Sequence, residues 1–195
     1  MTEPLNWSIA TEQSASSTSD LAKRAAANGA PSGHAFLAIE QTAGRGRHGR
    51  HWDSQKGGMY LSVLLRPSLP VDQWFALSFA ASLAVLEAVR SQLAMQLSSA
   101  EMPKTGLKWP NDVIAAGGKI SGILLEVEGE ALIVGSGVNI APVGQIGSPN
   151  IAPIALADIW PGGARDLPTP YDFATTYLDR LAFWYDRFCQ SGFGP

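Results

Sequence analysis

Apolar positions recur with a helical spacing in two long stretches of the chain. Over residues 72–95 and again over 170–189 they return about every 3.6 residues, which predicts two long helices. A shorter helix is predicted over 16–28, because Ser17, Thr18 or Ser19 can cap its start and the pair Asn28-Gly29 can end it. A further short helix is predicted over 155–160.

Short aliphatic runs between these helices predict strands. They cover residues 35–40, 59–66, 107–109, 113–115, 120–127 and 132–138. The residues Pro110-Asn111-Asp112 turn the chain after 107–109, and tight turns with glycine separate the last three strands, which is typical of an antiparallel meander. Residues 41–58 are rich in glycine and arginine and predict a loop. Grouped strands with helices before and after them favour an α+β fold with a mixed or antiparallel sheet over alternating βαβ units.

Composition narrows the class of protein. A chain of 195 residues with 46% hydrophobic residues is predicted to form one folded domain and not a disordered chain. Its net charge of -3 argues against nucleic acid as a partner. One cysteine excludes an internal disulfide framework. No signal peptide is recognisable, and the apolar stretch 75–89 looks too short and too polar to cross a membrane, so a cytoplasmic protein is expected.

The basic residues are concentrated in one segment, residues 41–66, where five of them stand against the single acid Asp53. Within it, the run GRGRHGR (44–50) combines flexible glycines with arginine donors, which suits an anionic small molecule. Three plainer interpretations stay open here: a solvated loop, a segment that touches RNA, and a dinucleotide fingerprint, although no helix is predicted after it. His34, His48 and His51 lie nearby without carboxylates to complete a metal site.

Three later motifs also carry polar groups at strand ends. KWPND (108–112) places a lysine, an amide and a carboxylate beside a turn, GGKISGILLE (117–126) opens an apolar strand with Lys119, and GSGVN (135–139) ends one with Asn139. A lysine flanked by buried residues is costly unless it meets an anion. Each motif also has a structural interpretation, as a β-turn, a protective lysine on an edge strand, or a strand that ends in a turn.

Taken in order, the four motifs resemble those of the catalytic domain of bacterial biotin protein ligases. The resemblance runs from about Ser16 to about Gln190. It implies the biotin/lipoate protein ligase catalytic-domain fold, which is similar to that of class II synthetases. It also implies a single catalytic domain over 1–195, without the N-terminal winged helix or the C-terminal small β-barrel that some members carry.

This resemblance implies a reaction in two steps. Biotin and ATP form biotinyl-5′-AMP and pyrophosphate, and a lysine of a biotin carboxyl carrier protein then displaces AMP. ATP, biotin and Mg²⁺ are therefore the expected cofactors, and no nucleic acid or membrane partner is expected. Pairing of two copies through a sheet edge is left open.

Roles follow from the same resemblance. Lys119 and Arg47 are expected to act on the biotin carboxylate and the α-phosphate, and Asp112 to orient or deprotonate the acceptor lysine. The residues expected at biotin are Ser17, Thr18, Gln41, Gly44, Arg45, Gly46, Arg47, Lys119 and Gly122. Those expected at the nucleotide are Arg47, Arg50, Trp52, Asn111, Gly135 and Asn139. No metal-binding side chain is expected.

One departure and two other functions stay open. Members of this family often have asparagine after the Ser-Thr pair, where this chain has Ser19, so the contact made by that asparagine is not carried over to this chain. A lipoate- or octanoyl-transferring enzyme would share the fold, although GRGRHG together with KWPND argues against it. A non-catalytic module, either a biotin-binding remnant or an RNA-contacting protein, is opposed by the presence of Lys119, Arg47 and Asp112 and by the net charge.

Overall fold

Seven strands form one mixed sheet in the part of the chain that a computed structural model describes, residues 5–142, 151–162 and 164–192. The strands are β1 (Ser8–Glu12), β2 (His34–Ala38), β3 (Met59–Leu65), β4 (Thr105–Lys108), β5 (Asp112–Ala115), β6 (Gly118–Glu128) and β7 (Ala131–Val138). Their order across the sheet is β1-β2-β3-β7-β6-β5-β4. Strands β1 and β2 are parallel and all other neighbours are antiparallel, which confirms the predicted mixed sheet.

Strand β1 is absent from the sequence prediction. Four of its five residues are exposed, so the chain shows no apolar alternation there. The strand is held by parallel pairing with β2, in register from Ser8 opposite His34 to Glu12 opposite Ala38. Main-chain pairing at a sheet edge leaves little trace in the side chains.

The predicted meander is confirmed in β4 to β7. Two-residue turns connect β5 to β6 and β6 to β7. In the first of them Ala116 and Gly117 have φ values of 46° and 84°, the pattern that suits a tight hairpin between twisted strands. The second hairpin, β6–β7, brings Gly122 opposite Gly137, and Leu124 opposite Gly135.

Three helices cover the two faces of the sheet. Helix α1 (Thr18–Ala27) lies on one face, where Ala22 and Ala26 pack against Leu64 and Ile133. Helices α2 (Leu77–Ala94) and α3 (Pro170–Ser191) pack together on the other face over the main core. The predicted helix 72–95 begins one turn later as an α-helix, because residues Val71–Ala76 form a 3₁₀ helix. The predicted short helix 155–160 is a 3₁₀ turn, Leu156–Ile159.

The segment Val71–Ala94 corrects one prediction from the sequence. It is 24 residues long and contains a stretch of mean hydropathy 1.3, so by length and composition alone it is able to cross a membrane. More than half of that stretch, 56%, is buried inside the fold. Its apolar character is that of a core helix, since eleven residues of α2 are buried against α3 and the sheet.

Candidate functional site

A cavity of about 450 Å³ lies between the N-terminus of α1, the glycine–arginine loop (residues 44–50) and the α1-facing side of β6 and β7. Its lining residues are Ser17, Thr18, Ser19, Gln41, Arg45, Gly46, Arg47, Arg50, His51, Trp52, Asp53, Tyr60, Ser62, Asn111, Asp112, Lys119, Gly122, Ile123, Leu124, Gly135, Ser136, Gly137, Asn139, Ile151 and Pro153. Residues 143–150 fall outside the described part of the chain. The structure therefore gathers nearly all of the residues selected from the sequence around one cavity.

Gly44 is the predicted residue that does not line the cavity. Its carbonyl accepts a hydrogen bond from the amide of Trp52 (3.0 Å), and a Cβ placed on it would lie 2.4 Å from the Trp52 carbonyl. Gly44 thus closes the base of the glycine–arginine loop by a close approach of two main-chain segments.

The glycine–arginine loop is more ordered than the prediction of a plain loop. Residues Arg47–Gly49 form a 3₁₀ turn, and the amide of Gly46 donates to the carbonyl of Arg50 over 2.7 Å. Positive φ occurs at His48 (58°) and Gly49 (71°), and Gly46 is extended with φ of -113°. The left-handed turn needed at the tip is thus made at residues 48 and 49.

Lysine 119 forms an ion pair at one end of the cavity. Its Nζ lies 2.6 Å from Oδ1 of Asp112, and the two side chains are 27% and 19% exposed. The same ammonium lies 5.3 Å from the centre of the Trp52 ring, within reach of a cation–π interaction. Lys119 thus has an acid and an aromatic face around it, and its charge lies on the cavity wall.

Arginine 47 approaches the same end from the loop. Its guanidinium donates to Oδ1 of Asn111 (3.0 Å), and the Asn111 amide nitrogen donates to the carbonyl of Ile123 (2.8 Å). Asn111 and Asp112 are adjacent in the chain, so Arg47 and Lys119 reach two neighbouring side chains at the start of β5. Two cations therefore converge on one end of the cavity.

Hydroxyl and amide groups line the other end. Oε1 of Gln41 accepts from the amide and hydroxyl of Thr18 at 2.8 and 3.2 Å. The Thr18 and Ser62 hydroxyls lie 2.7 Å apart, and the Ser19 hydroxyl lies 3.2 Å from that of Ser62. Ser17 occupies the N-cap of α1, yet its side chain makes no capping bond. This end offers both donors and acceptors to a ligand.

Glycines form the floor between the two ends. A Cβ on Gly137 would lie 2.5 Å from Nε1 of Trp52, and one on Gly122 would lie 3.0 Å from the same indole. Ser136 precedes Gly137 on β7, and its hydroxyl lies on the opposite face of the sheet, 2.8 Å from the hydroxyl of Tyr177 on α3. The indole N–H of Trp52 is buried and has no hydrogen-bond partner among the described residues. It is therefore available to an acceptor on a ligand.

The sheet register fixes the separation of the two ends. Asp112 on β5 pairs with Gly122 on β6, which pairs with Gly137 on β7, while Ser62 on β3 pairs with Gly135 on β7. The cationic and hydroxyl ends are thus three strand spacings apart, roughly 14 Å at about 4.8 Å per strand. The cavity suits an elongated molecule with an anionic group at one end, an apolar middle and hydrogen-bonding groups at the other.

Arginine 45 lines the cavity but is already engaged by acids. Its guanidinium donates to both carboxylate oxygens of Asp20, at 3.1 and 2.7 Å, and lies 3.5 Å from Oε2 of Glu126. The hydrogen bonds with Arg45 lower the pKa of Asp20 below its usual value, and the same pair raises the pKa of Arg45. Both groups therefore stay charged around neutral pH.

Asn139 holds the wall at the end of β7. It is 4% exposed, and its amide nitrogen donates to the carbonyls of Ile154 (3.1 Å) and Lys119 (3.4 Å). The amide of Lys119 donates to the carbonyl of Ala152, so segment 152–154 lies beside the start of β6. In this structure Asn139 is used to join two main-chain segments of the cavity wall.

The cavity includes residues that sequence reasoning passed over. Ser62 is a serine in the apolar run MYLSVLL and is fully buried, which is the signal that could have identified it. Gly137 belongs to the recognised GSGVN motif, although its role beneath the indole depends on Trp52, which is 85 positions away in the sequence. Outside the cavity lining, Asp20 belongs to no motif and Glu126 is the last residue of GGKISGILLE. Neither shows in the sequence that it contacts Arg45, because Arg45 comes from a distant loop.

A family model for the biotin/lipoate A/B protein ligase family matches residues 11–140 of the chain. A biotin–[acetyl-CoA-carboxylase] ligase of Mycobacterium tuberculosis is 45% identical over 130 residues, which make up 66% of this chain and 47% of that protein. The chain therefore spans less than half the length of this relative.

Solved structures show the same fold. The biotin protein ligase from Aquifex aeolicus in complex with biotin and ATP matches with a TM-score of 0.80 and 29% identity, over 95% of this chain and 73% of that one. The biotin protein ligase from Leishmania major in complex with biotinyl-5-AMP matches with a TM-score of 0.76 and 31% identity, over 92% and 75%. These matches confirm the catalytic-domain fold that the motifs implied.

Proposed function

Because the chain belongs to the biotin/lipoate A/B protein ligase family, we propose that it attaches biotin to a lysine of a biotin carboxyl carrier protein through biotinyl-5′-AMP. The observation that carries the proposal is the elongated cavity, with Lys119 and Arg47 at one end and hydroxyls at the other. Biotin has a matching shape, with a carboxylate, an aliphatic chain and a ureido ring in that order.

In the first step a biotin carboxylate oxygen attacks the α-phosphorus of ATP, a C–O–P anhydride forms, and pyrophosphate leaves. Two anions must approach each other, so fixed cations at the point of attack lower the barrier. Lys119 and Arg47 supply these charges on the cavity wall, and the N–H of Trp52, which has no partner in the described part of the chain, supplies a further donor. Lys119 is expected to exchange its bond with Asp112 for the ligand oxygens.

Mg²⁺ is proposed to enter as the complex with ATP. The carboxylates of Asp53 and Asp112 line the cavity, and Mg²⁺ needs only one or two of them in addition to phosphate oxygens. Among the described residues no group of three histidine, cysteine or acidic side chains could hold a metal by itself. The donor set therefore fits a metal carried by the nucleotide.

In the second step the amine of the carrier lysine attacks the biotinyl carbonyl carbon, an amide forms, and AMP leaves with the electrons of the C–O bond. The attacking amine must lose a proton. Asp112 lies at the cationic end and is 19% exposed, which supports the proposal that it orients the amine or accepts this proton. We place the reaction in the cytoplasm, and pairing of two copies through a sheet edge stays a prediction.

Mass spectrometry of the small-molecule products tests this proposal. The protein is incubated with ATP, Mg²⁺ and either biotin or lipoate, and the expected product is biotinyl-AMP with no lipoyl-AMP. Formation of lipoyl-AMP alone would favour the lipoate-transferring alternative instead. The absence of either acyl-AMP, from protein that binds neither acid in calorimetry, would contradict the proposal.

Replacement of Arg47 by alanine is expected to weaken biotin retention and to release biotinyl-AMP into solution. The change removes a charge from the cavity wall and cuts the bond between the glycine–arginine loop and Asn111. We expect a rise of about tenfold in the dissociation constant for biotin, in keeping with one charge-assisted hydrogen bond. Arg180→Ala, at an exposed position of α3, is the matched control. Unchanged affinity without free biotinyl-AMP would contradict this role.

A further inference from the structure

An ion cluster holds the glycine–arginine loop against α1 and β6. We define the cluster as Arg45 with Asp20, Lys23 and Glu126. We infer that Asp20 and Glu126 are positioning residues that keep this loop closed by binding Arg45, and so set how tightly the cavity retains its ligand. The ligand part of this inference rests on the proposed function.

The geometry joins three separate parts of the fold. Asp20 is on the first turn of α1, Glu126 is on β6, and Arg45 lies inside the loop. The Arg45–Asp20 contact is bidentate, a geometry that fixes the orientation of the guanidinium as well as its distance. On the other side Lys23 binds Oε1 of Glu126 over 2.6 Å, which holds that carboxylate in place.

Arg45 lies where the loop closes, so the ion cluster can affect the position of the whole loop. Arg45 pairs with His51 as an isolated antiparallel bridge, and it lies between Gly44 and Gly46, whose main-chain atoms make the bonds that close the loop. Neither Asp20 nor Glu126 lines the cavity. We therefore expect an effect of their substitution on ligand binding to pass through Arg45, the member of the ion cluster that lines the cavity.

The second carboxylate oxygen of Glu126 supports an active role for this residue. Oε2 is buried and has no hydrogen-bond partner among the described residues, and Arg45 lies just 3.5 Å away. A buried carboxylate oxygen without a full hydrogen bond is costly. Oε2 can therefore accept a closer hydrogen bond from Arg45, which would strengthen the attachment of the loop to β6.

Hydrogen exchange of the free protein tests the loop directly and needs no ligand. In Asp20→Asn and in Glu126→Gln, the amides of Gly46 and Trp52 are expected to exchange about five- to tenfold faster. Each variant removes one partly exposed ion pair, and such a pair stabilises the closed loop only modestly. Raising NaCl to about 1 M, where the Debye length is about 3 Å, should accelerate the same amides in the wild type and much less in the variants. Unchanged exchange at both amides would overturn the inference.

Two controls separate this role from a general loss of stability. Asp72→Asn alters an exposed acid ahead of α2 and is expected to leave loop exchange unchanged. In an Arg45→Gln background, Asp20→Asn should have no further effect on the loop, because its partner is already gone. Equal acceleration by Asp20→Asn with and without Arg45 would show a helix effect and overturn the inference.

Biotin titration tests the consequence for the ligand. A loop that is closed for a smaller fraction of the time lowers the apparent affinity in proportion to that fraction, so we expect Asp20→Asn to bind biotin more weakly, by no more than the factor by which its loop exchange rises. Tighter binding would show that Asp20 competes with the ligand for Arg45, and would overturn the inference. If the wild type binds no biotin, the proposed function fails, and the exchange experiment alone decides the role of the ion cluster.

Discussion

Replacement of Lys119 by alanine is expected to abolish formation of biotinyl-AMP, with a loss of at least about 10²–10³-fold in rate, the usual effect of removing one preorganised donor from developing charge. Lys119 lies within 2.6 Å of Asp112 and 5.3 Å from the Trp52 ring centre. Its removal takes away the cation and also leaves the carboxylate of Asp112 unpaired at the cationic end. The rate is measured as pyrophosphate release dependent on biotin.

Lys104→Ala is the matched control for this prediction. Lys104 is an exposed lysine directly ahead of β4, outside the cavity lining, and its loss should leave pyrophosphate release unchanged. The thermal unfolding of Lys119→Ala should stay close to that of the wild type, because the side chain is partly exposed and belongs to no apolar cluster. Normal pyrophosphate release by a folded Lys119→Ala protein would rule out the assigned role.

Replacement of Gly137 by alanine is expected to weaken biotin binding by roughly 10²-fold while the domain stays folded. The added Cβ would lie 2.5 Å from Nε1 of Trp52 and has to displace the indole from the floor. Overfilling a packed site costs about 1–3 kcal/mol. Here the added methyl displaces part of the wall that the ligand contacts, so the cost appears as weaker biotin binding. Isothermal titration with biotin measures the affinity, and thermal unfolding monitors the fold.

Gly106→Ala provides the comparison for Gly137. Gly106 is also a strand glycine, on β4, and a Cβ there would meet nothing within 4 Å. Any effect of replacing a strand glycine as such should appear equally in both variants, whereas loss of affinity should appear for Gly137 alone. Equal biotin affinities of Gly137→Ala and Gly106→Ala would mean that the position of the Trp52 indole does not depend on a glycine at residue 137.

Elements with a strong apolar period could be predicted from the sequence, and those held by main-chain bonds could not. Strand β3 is buried at every position and α3 has an apolar stripe, so both are visible as patterns. Strand β1 depends on pairing with β2, and the 3₁₀ turn in the glycine–arginine loop depends on bonds between residues 46 and 50. Neither kind of bond requires a particular side chain.

The residues of the site also differ in how far the sequence alone could identify them. Motif residues such as Lys119, Arg47 and Asn111 combine unusual side chains with close spacing, and the fold brings them together. Asp20 lies outside the motifs and Glu126 ends one of them, and the significance of both comes from contact with Arg45 across 25 and 81 positions. Long-range pairs of this kind become visible only when the chain is folded.

The turn of the Ser136 hydroxyl toward Tyr177 has a consequence for substrate range. It leaves a floor made of main-chain atoms, and bulk is all that a substitution can add there. A longer or wider ligand therefore gains space where the Trp52 indole, which rests on these glycines, is made smaller. Redesign of this cavity for enlarged acids should begin at position 52, with the glycine strip kept as it is.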